Sequence, residues 1–161
     1  MTVYSPGYKL SKHFALWEFV RSDAAARLGI DNWPDEKQID ALARVALWLE
    51  HPRRLFGPIY VSSGLRVPAV NTEVIGSSST SVHQLGFAAD WTPVSVLRGR
   101  RMLDAIFQEL IASSPPAFDQ LIFECASWIH VGLVPWGGRG KPRGQIKVKI
   151  AGQSKLQRWK P

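Results

Sequence analysis

The sequence is short of several things, and each shortage narrows the field. It has one cysteine, Cys125, in 161 residues. No internal disulfide can brace it, so a packed core must hold it together, as suits synthesis in a reducing cytoplasm. No apolar run approaches the ~20 residues that a bilayer-spanning helix needs. The opening MTVYSPGYKLSKHF lacks a basic start followed by an apolar stretch, so no secretory signal is expected. Internal repeats and low-complexity linkers are also missing. Acidic residues stop altogether after Pro135.

That last absence sets the charge distribution. Residues 1–135 hold twelve Lys/Arg against thirteen Asp/Glu, a net of −1, whereas residues 136–161 hold eight Lys/Arg and no acid. The overall charge of +7 therefore belongs to the C-terminal strand and tail. Such a segment is either a solvated basic face or a patch for polyanions: nucleic acid, anionic lipid head groups or anionic wall polymers. Hydrophobic residues make up 45% of the chain and charged residues 20%. With seven Trp and seven Phe, that is enough apolar area for one core, so we expect a single domain over 1–161.

Helical signals come first. Residues 11–29 read as two short helical pieces, with Ser22 as cap of the second and Gly29 as its end. Pro34 is placed to open the next helix. Ile39, Leu42, Val45 and Leu49 recur at helical spacing, predicting a helix over about 35–50 that stops near Pro52. Another is predicted over about 96–112, with Leu97, Ile106 and Leu110 on its apolar side. Strand signals fall at PIYVSS (58–63), FAADW (87–91), FDQLIFE (118–124), WIHVGLV (128–134) and QIKVKI (145–150). The expected class is α+β, with N-terminal helices on a mainly antiparallel sheet.

The segment SVHQLGFAAD (81–90) holds the strongest chemical signal. His83 and Asp90 are metal-capable, Gly86 permits a turn, and the residues between are apolar. A turn followed by a strand can bring both side chains to one point, and zinc accepts imidazole nitrogen and carboxylate oxygen at about 2.0–2.2 Å. WIHVG (128–132) adds His130 inside an apolar strand. If Cys125, Ala126 and Ser127 form a hairpin loop, Glu124 pairs with Trp128 and Ile122 with His130, which puts all four on one face. A carboxylate and imidazoles buried together need a metal or hydrogen bonds to compensate. Three protein ligands with one position left for water is the pattern of a catalytic zinc. Arg66, in SSGLR (62–66) at the end of a strand, offers a bidentate fork for a carboxylate.

These residues resemble the D-Ala-D-Ala carboxypeptidase-type zinc peptidases of the LAS group (lysostaphin, D-Ala-D-Ala metallopeptidases, hedgehog). They look most like the small phage endolysins and prophage peptidases. Ser63-Gly64-Leu65-Arg66 stands where the family has S-G-aromatic-R. Residues 81–90 fit S-x-H-x-x-G-x-A-x-D at every fixed position, and Trp128-Ile129-His130 fits the closing W-x-H. The helical opening from Leu10 to Pro34 is also similar, so the resemblance covers roughly residues 10–134.

The resemblance implies one zinc ion held by His83, Asp90 and His130. It also implies that Arg66 and Ser81 hold the substrate or its developing oxyanion, and that the substrate is bacterial peptidoglycan. Two positions depart from the family pattern. Leu65 replaces the aromatic, a packing change. The acid that many members carry three residues before the last His is Ser127 here, so Glu124 is taken as the general base on the same-face argument.

An endolysin made in the host cytoplasm without a signal peptide would reach the wall after holin-type release. D-Ala-D-Ala, L-Ala-D-Glu and cross-bridge bonds all remain open as targets, by carboxypeptidase or endopeptidase action, and a monomer is expected. A non-catalytic binding module on the same zinc fold is the alternative. A nucleic-acid binder would leave residues 81–90 unexplained. His13 and His51 read as surface or capping residues, Cys125 as a packed thiol in a turn, and Trp17, Trp33, Trp48 and Trp91 as core and lid packing. Trp136 and Trp159, among basic residues, are candidates for stacking on saccharide. Asp119 would support a site residue or cap its strand.

Overall fold

Ten apolar positions placed on one face of a sheet, and two helices laid across them, account for most of the architecture. A computed structural model describes residues 4–74, 77–135, 137, 140–153 and 155–160. Along the chain come α1 (Leu16–Val20), α2 (Asp23–Leu28), α3 (Glu36–Phe56), β1 (Ile59–Ser63), α4 (Pro68–Glu73), a 3₁₀ turn (Val82–Leu85) and β2 (Ala88–Pro93). They are followed by α5 (Val94–Leu97), α6 (Leu103–Ala112), β3 (Gln120–Glu124), β4 (Trp128–Gly132), β5 (Gln145–Lys149) and β6 (Gln157–Arg158).

The strands form one six-stranded sheet in the order β1-β2-β4-β3-β5-β6. Every pairing is antiparallel except β3 with β5. The class is thus α+β, as expected. One face carries Ile59, Val61, Ala89, Trp91, Ile129, Val131, Leu121, Phe123, Ile146 and Val148. It packs against Leu42, Val45 and Leu49 of α3 and Ile106, Phe107 and Leu110 of α6. Period-2 alternation leaves Asp90, His130, Ile122 and Glu124 on the opposite, open face.

The hairpin closes as the residue count requires. Cys125 (φ 50°) and Ala126 (φ 53°) turn the chain, and the register is Glu124↔Trp128 and Ile122↔His130. Ser22 caps α2 by accepting from the Ala25 N–H, and Gly29 ends it in the left-handed conformation.

Several elements differ from expectation. α3 begins after Asp35, whose side chain and that of Gln38 form a reciprocal capping box, so Pro34 lies just outside the helix. α3 also runs through Pro52 to Phe56. A proline removes one i→i−4 bond and crowds the preceding turn, but Trp48, Leu49, Pro52 and Phe56 are all buried, and that packing carries the helix to Gly57. The predicted 96–112 helix is broken. α5 buries nothing and Leu97 is exposed, while Gly99 turns left-handed at φ 66° before α6 starts at Leu103. Trp48 and Trp91 are core residues, but Trp17 and Trp33 are 46% and 40% exposed and lie outside the core. Trp159 is no free platform: it packs edge-on to Phe107 and Phe123 at 4.9 and 5.5 Å. Trp136 lies outside the described residues.

Gly86 closes the 3₁₀ turn at φ 78°, and a Cβ there would stand 2.8 Å from the Gln38 carbonyl of α3. Gly86→Ala is therefore expected to destabilise the fold by about 2–4 kcal/mol. Urea unfolding of both proteins checks this, and a loss below about 1 kcal/mol would contradict the close docking.

Candidate metal centre

Neighbouring strands bring two of the three predicted ligands together. Asp90 on β2 sits opposite His130 on β4, and His130 Nδ1 lies 2.8 Å from Asp90 Oδ1. The third arrives on the 3₁₀ turn. His83 Nε2 is 3.3 Å from Asp90 Oδ1 and 3.2 Å from His130 Nδ1. All three side chains are buried, and together they form a group able to hold a metal ion. A tetrahedral ion bonded at about 2.0–2.1 Å separates its ligand atoms by about 3.3 Å, so the triangle is near the required size. Its donor set, two imidazole nitrogens and a carboxylate oxygen, suits zinc.

The turn that carries His83 is held at several points. Ser81 Oγ accepts from the His83 N–H, Gly86 N–H donates back to the His83 carbonyl, and Gln38 Nε2 of α3 donates to the Gln84 carbonyl. His83 Nδ1 faces the Gly64 carbonyl at 2.6 Å. That contact requires the proton on Nδ1 and leaves the Nε2 lone pair turned inward, the tautomer a metal ligand needs. Gly64 must be glycine because a Cβ would fall 2.5 Å from the Phe19 carbonyl.

Electrostatics favour the ligand forms of these groups. Burial pushes the His83 imidazolium down, against the pull of Asp90. Burial alone would raise Asp90, but the facing imidazoles hold its carboxyl well below the usual carboxylate range. A neutral His83 imidazole and an ionised Asp90 carboxylate are the forms that ligate a cation.

One cleft of about 930 Å³ collects the remaining expected residues, with Arg66, Ser81, Glu124 and Trp128 lining it beside the three possible ligands. Arg66 Nη2 lies 3.7 Å from Asp90 Oδ2. Its Nε is buried with no hydrogen-bond partner among the described residues, so a donor stands unused. Burial lowers the guanidinium pKa, partly offset by Asp90 and Glu124. Glu124 is raised above the ordinary glutamate value, first by burial and then by the charge of Asp90, against His130, Lys149 and Arg66. Ser127 is exposed in the turn, where its Oγ donates to the Cys125 carbonyl, so it lies off the cleft.

Residues set aside at the sequence level fall as follows. His13 is 2.6 Å from Glu50 and joins the N-terminal segment to α3. His51 contacts Ser113 and Arg54. Cys125 is a free, half-buried thiol in the hairpin turn. Asp119 lines the cleft and pairs with Arg143, accepting from its backbone N–H and its guanidinium. Asn32 was missed altogether. It is buried, donates to the Val20 and Leu65 carbonyls, and accepts from the Val67 N–H, pinning the loop that carries Gly64 and Arg66. Nothing in its local sequence, between Asp31 and Trp33, distinguishes it from a turn asparagine.

Metal titration should give one ion per chain. At a zinc concentration a hundredfold above Kd, binding adds about 2.7 kcal/mol, a rise in melting temperature of about 5–10 °C. His83→Ala should abolish both effects while circular dichroism stays native. A fully loaded His83→Ala protein would remove His83 from the site.

No curated protein matches the chain. A family model described as peptidase M15 matches residues 12–132, a span that runs from before α1 to the end of β4 and includes His83, Asp90, Glu124 and His130. The chain belongs to the peptidase M15 family, the zinc D-Ala-D-Ala carboxypeptidase-like metallopeptidases.

Proposed function

We propose that the chain is an endolysin-like zinc peptidase that hydrolyses an amide bond in the stem peptide or cross-link of bacterial peptidoglycan. The observation that supports this best is the company of the His83, Asp90 and His130 triad. On the same open cleft stand one carboxylate with a raised pKa, Glu124, and one guanidinium, Arg66.

The roles follow from chemistry. His83, Asp90 and His130 would hold one zinc ion, which would supply Lewis acidity to activate a water. Glu124 takes the proton as that water attacks and returns it to the leaving amine. Arg66 donates to the carbonyl oxygen as negative charge develops there, which lowers the barrier because the donor is already in place. Ser81 holds the 3₁₀ turn and presents its hydroxyl along the cleft. Replacement of Glu124 by Ser127 as the acid is unsupported, since that side chain is engaged with the turn.

In this reading the whole chain works as one peptidase unit and as a monomer, delivered to the wall by a separate holin. The exposed cations Lys141, Lys155, Arg158 and Lys160 add attraction to anionic wall or outer-membrane polymers, which salt weakens.

Mass spectrometry of fragments released from purified peptidoglycan, with and without a zinc chelator, tests the reading. New amine termini that vanish with chelator are expected, and their masses identify the bond. Absence of fragments from walls of several chemistries, with metal bound, would instead favour a binding module. Glu124→Gln should keep one zinc per chain and lose about 10²–10⁴-fold in kcat. Near-normal turnover would exclude Glu124 as the base.

A further inference from the structure

The C-terminal segment lies beyond the family match, which ends at residue 132, yet it builds one wall of the cleft. β5 runs parallel to β3 in the register Gln120↔Gln145, Ile122↔Lys147 and Glu124↔Lys149. Side chains two apart share a face, so Gln145, Lys147 and Lys149 fall on the side of the sheet that carries Glu124 and His130. β5 also clamps the hairpin: the Cys125 N–H donates to the Lys149 carbonyl at 2.8 Å. Just before β5, Arg143 is locked to Asp119, to which its backbone N–H and guanidinium both donate. Arg143 and Lys149 both line the cleft.

The two cations differ in what they have left to give. Arg143 is engaged by a carboxylate at hydrogen-bond distance. Lys149 Nζ approaches Glu124 Oε2 only to 3.7 Å, too far for a hydrogen bond. An ammonium has three donors, and no hydrogen bond of this one is found among the described residues. Its side chain is 31% exposed and opens on the cleft. Strand spacing places β5 about 10 Å from β4, the span of about three residues of extended peptide.

The opposite wall is different. Ser62, Ser63, Ser77, Ser78 and Ser81 offer hydroxyls there. Of the two arginines on that side, Arg21 donates to the Val61 carbonyl and lies over the Trp17 and Tyr60 rings, and Arg66 lies 3.7 Å from Asp90 Oδ2. Apart from Arg66, which sits beside the possible ligands, the cation with donor capacity left for an anion is thus on the β5 side.

We propose that Lys149 is a specificity-determining residue that receives a free carboxylate of the peptide substrate, so that the chain prefers acidic peptides. This rests on the peptidase reading of the same cleft. Arg66 serves the reacting carbonyl in that reading, which leaves Lys149 for a second anionic group. A stem peptide offers one in mid-chain: its glutamate is joined through the side-chain carboxyl, and the α-carboxylate stays free.

Two fluorescent stem pentapeptides test this, identical except that the glutamate α-carboxyl is free in one and a carboxamide in the other. Binding is read by anisotropy on the metal-loaded full chain in the cold, and cleavage by mass spectrometry of the same samples. The wild-type chain should bind the acid about tenfold more tightly than the amide, and rising salt should shrink that ratio. Lys149→Met and Lys149→Gln should both bring the ratio near one, whereas Lys149→Arg should keep most of it. Equal wild-type affinities, or a preference that survives both neutral variants, overturns the inference. If neither peptide is cut while Lys149 still sets the preference, the peptidase reading falls and the role of Lys149 stands.

Discussion

The charge of Asp90 is the constraint on which the site depends. A carboxylate withdrawn from water costs several kcal/mol unless other groups compensate it, and here it is buried to 8% exposure. His130 faces it across one strand pair, His83 from the 3₁₀ turn, and Arg66 from the loop after β1. Each comes from a different element, so charge compensation at Asp90 ties together the pieces of the fold that must be in register for the site to exist.

The layers then explain why the site is open on one side only. The face of the sheet that packs on α3 and α6 is apolar throughout, so polar chemistry is confined to the other face. At its edge the pairing of β1 with β2 shifts register between Val61 and Ser63. Such a bulge re-aims the strand end, and Gly64, Leu65 and Arg66 follow it. Leu65 is buried at 1% exposure and donates its N–H to the Phe19 carbonyl. Leu65 therefore packs this loop against α1, while Gly64 and Arg66 sit beside His83.

Legibility in the sequence followed the range of the interaction. The β3–β4 hairpin could be counted, because a three-residue loop dictates which residues face each other, and so Glu124 could be put on the His130 face. Residues 81–90 carried both the turn and two possible ligands in one short segment. Local caps at Ser22 and Gly29 were readable for the same reason. What escaped depends on distant partners. Pro52 looked like a helix stop because the burial that carries α3 past it is tertiary. Asn32 carried no signal because its three partners lie at residues 20, 65 and 67. The strand character of 145–150 was plain from its alternation, but its parallel place beside β3 was not, since a strand shows its faces and not its neighbour.

That neighbour matters for how the site is held. Glu124 stands at the end of β3, next to a turn whose residues Cys125 and Ala126 both sit at positive φ, a conformation that costs about 1 kcal/mol or more for a side chain with a Cβ. A turn under such strain stays put only if its surroundings over-determine it. The bond from Cys125 N–H to the Lys149 carbonyl and that from Thr92 Oγ1 to the Ser127 carbonyl brace it from both sides. The C-terminal strand, though beyond the part of the chain that defines the family, therefore fixes the carboxylate on which turnover in this reading depends. Cutting the chain before β5 would disturb Glu124 as well as remove positive charge, so loss of wall binding after such a cut would not by itself identify the basic segment as an anchor.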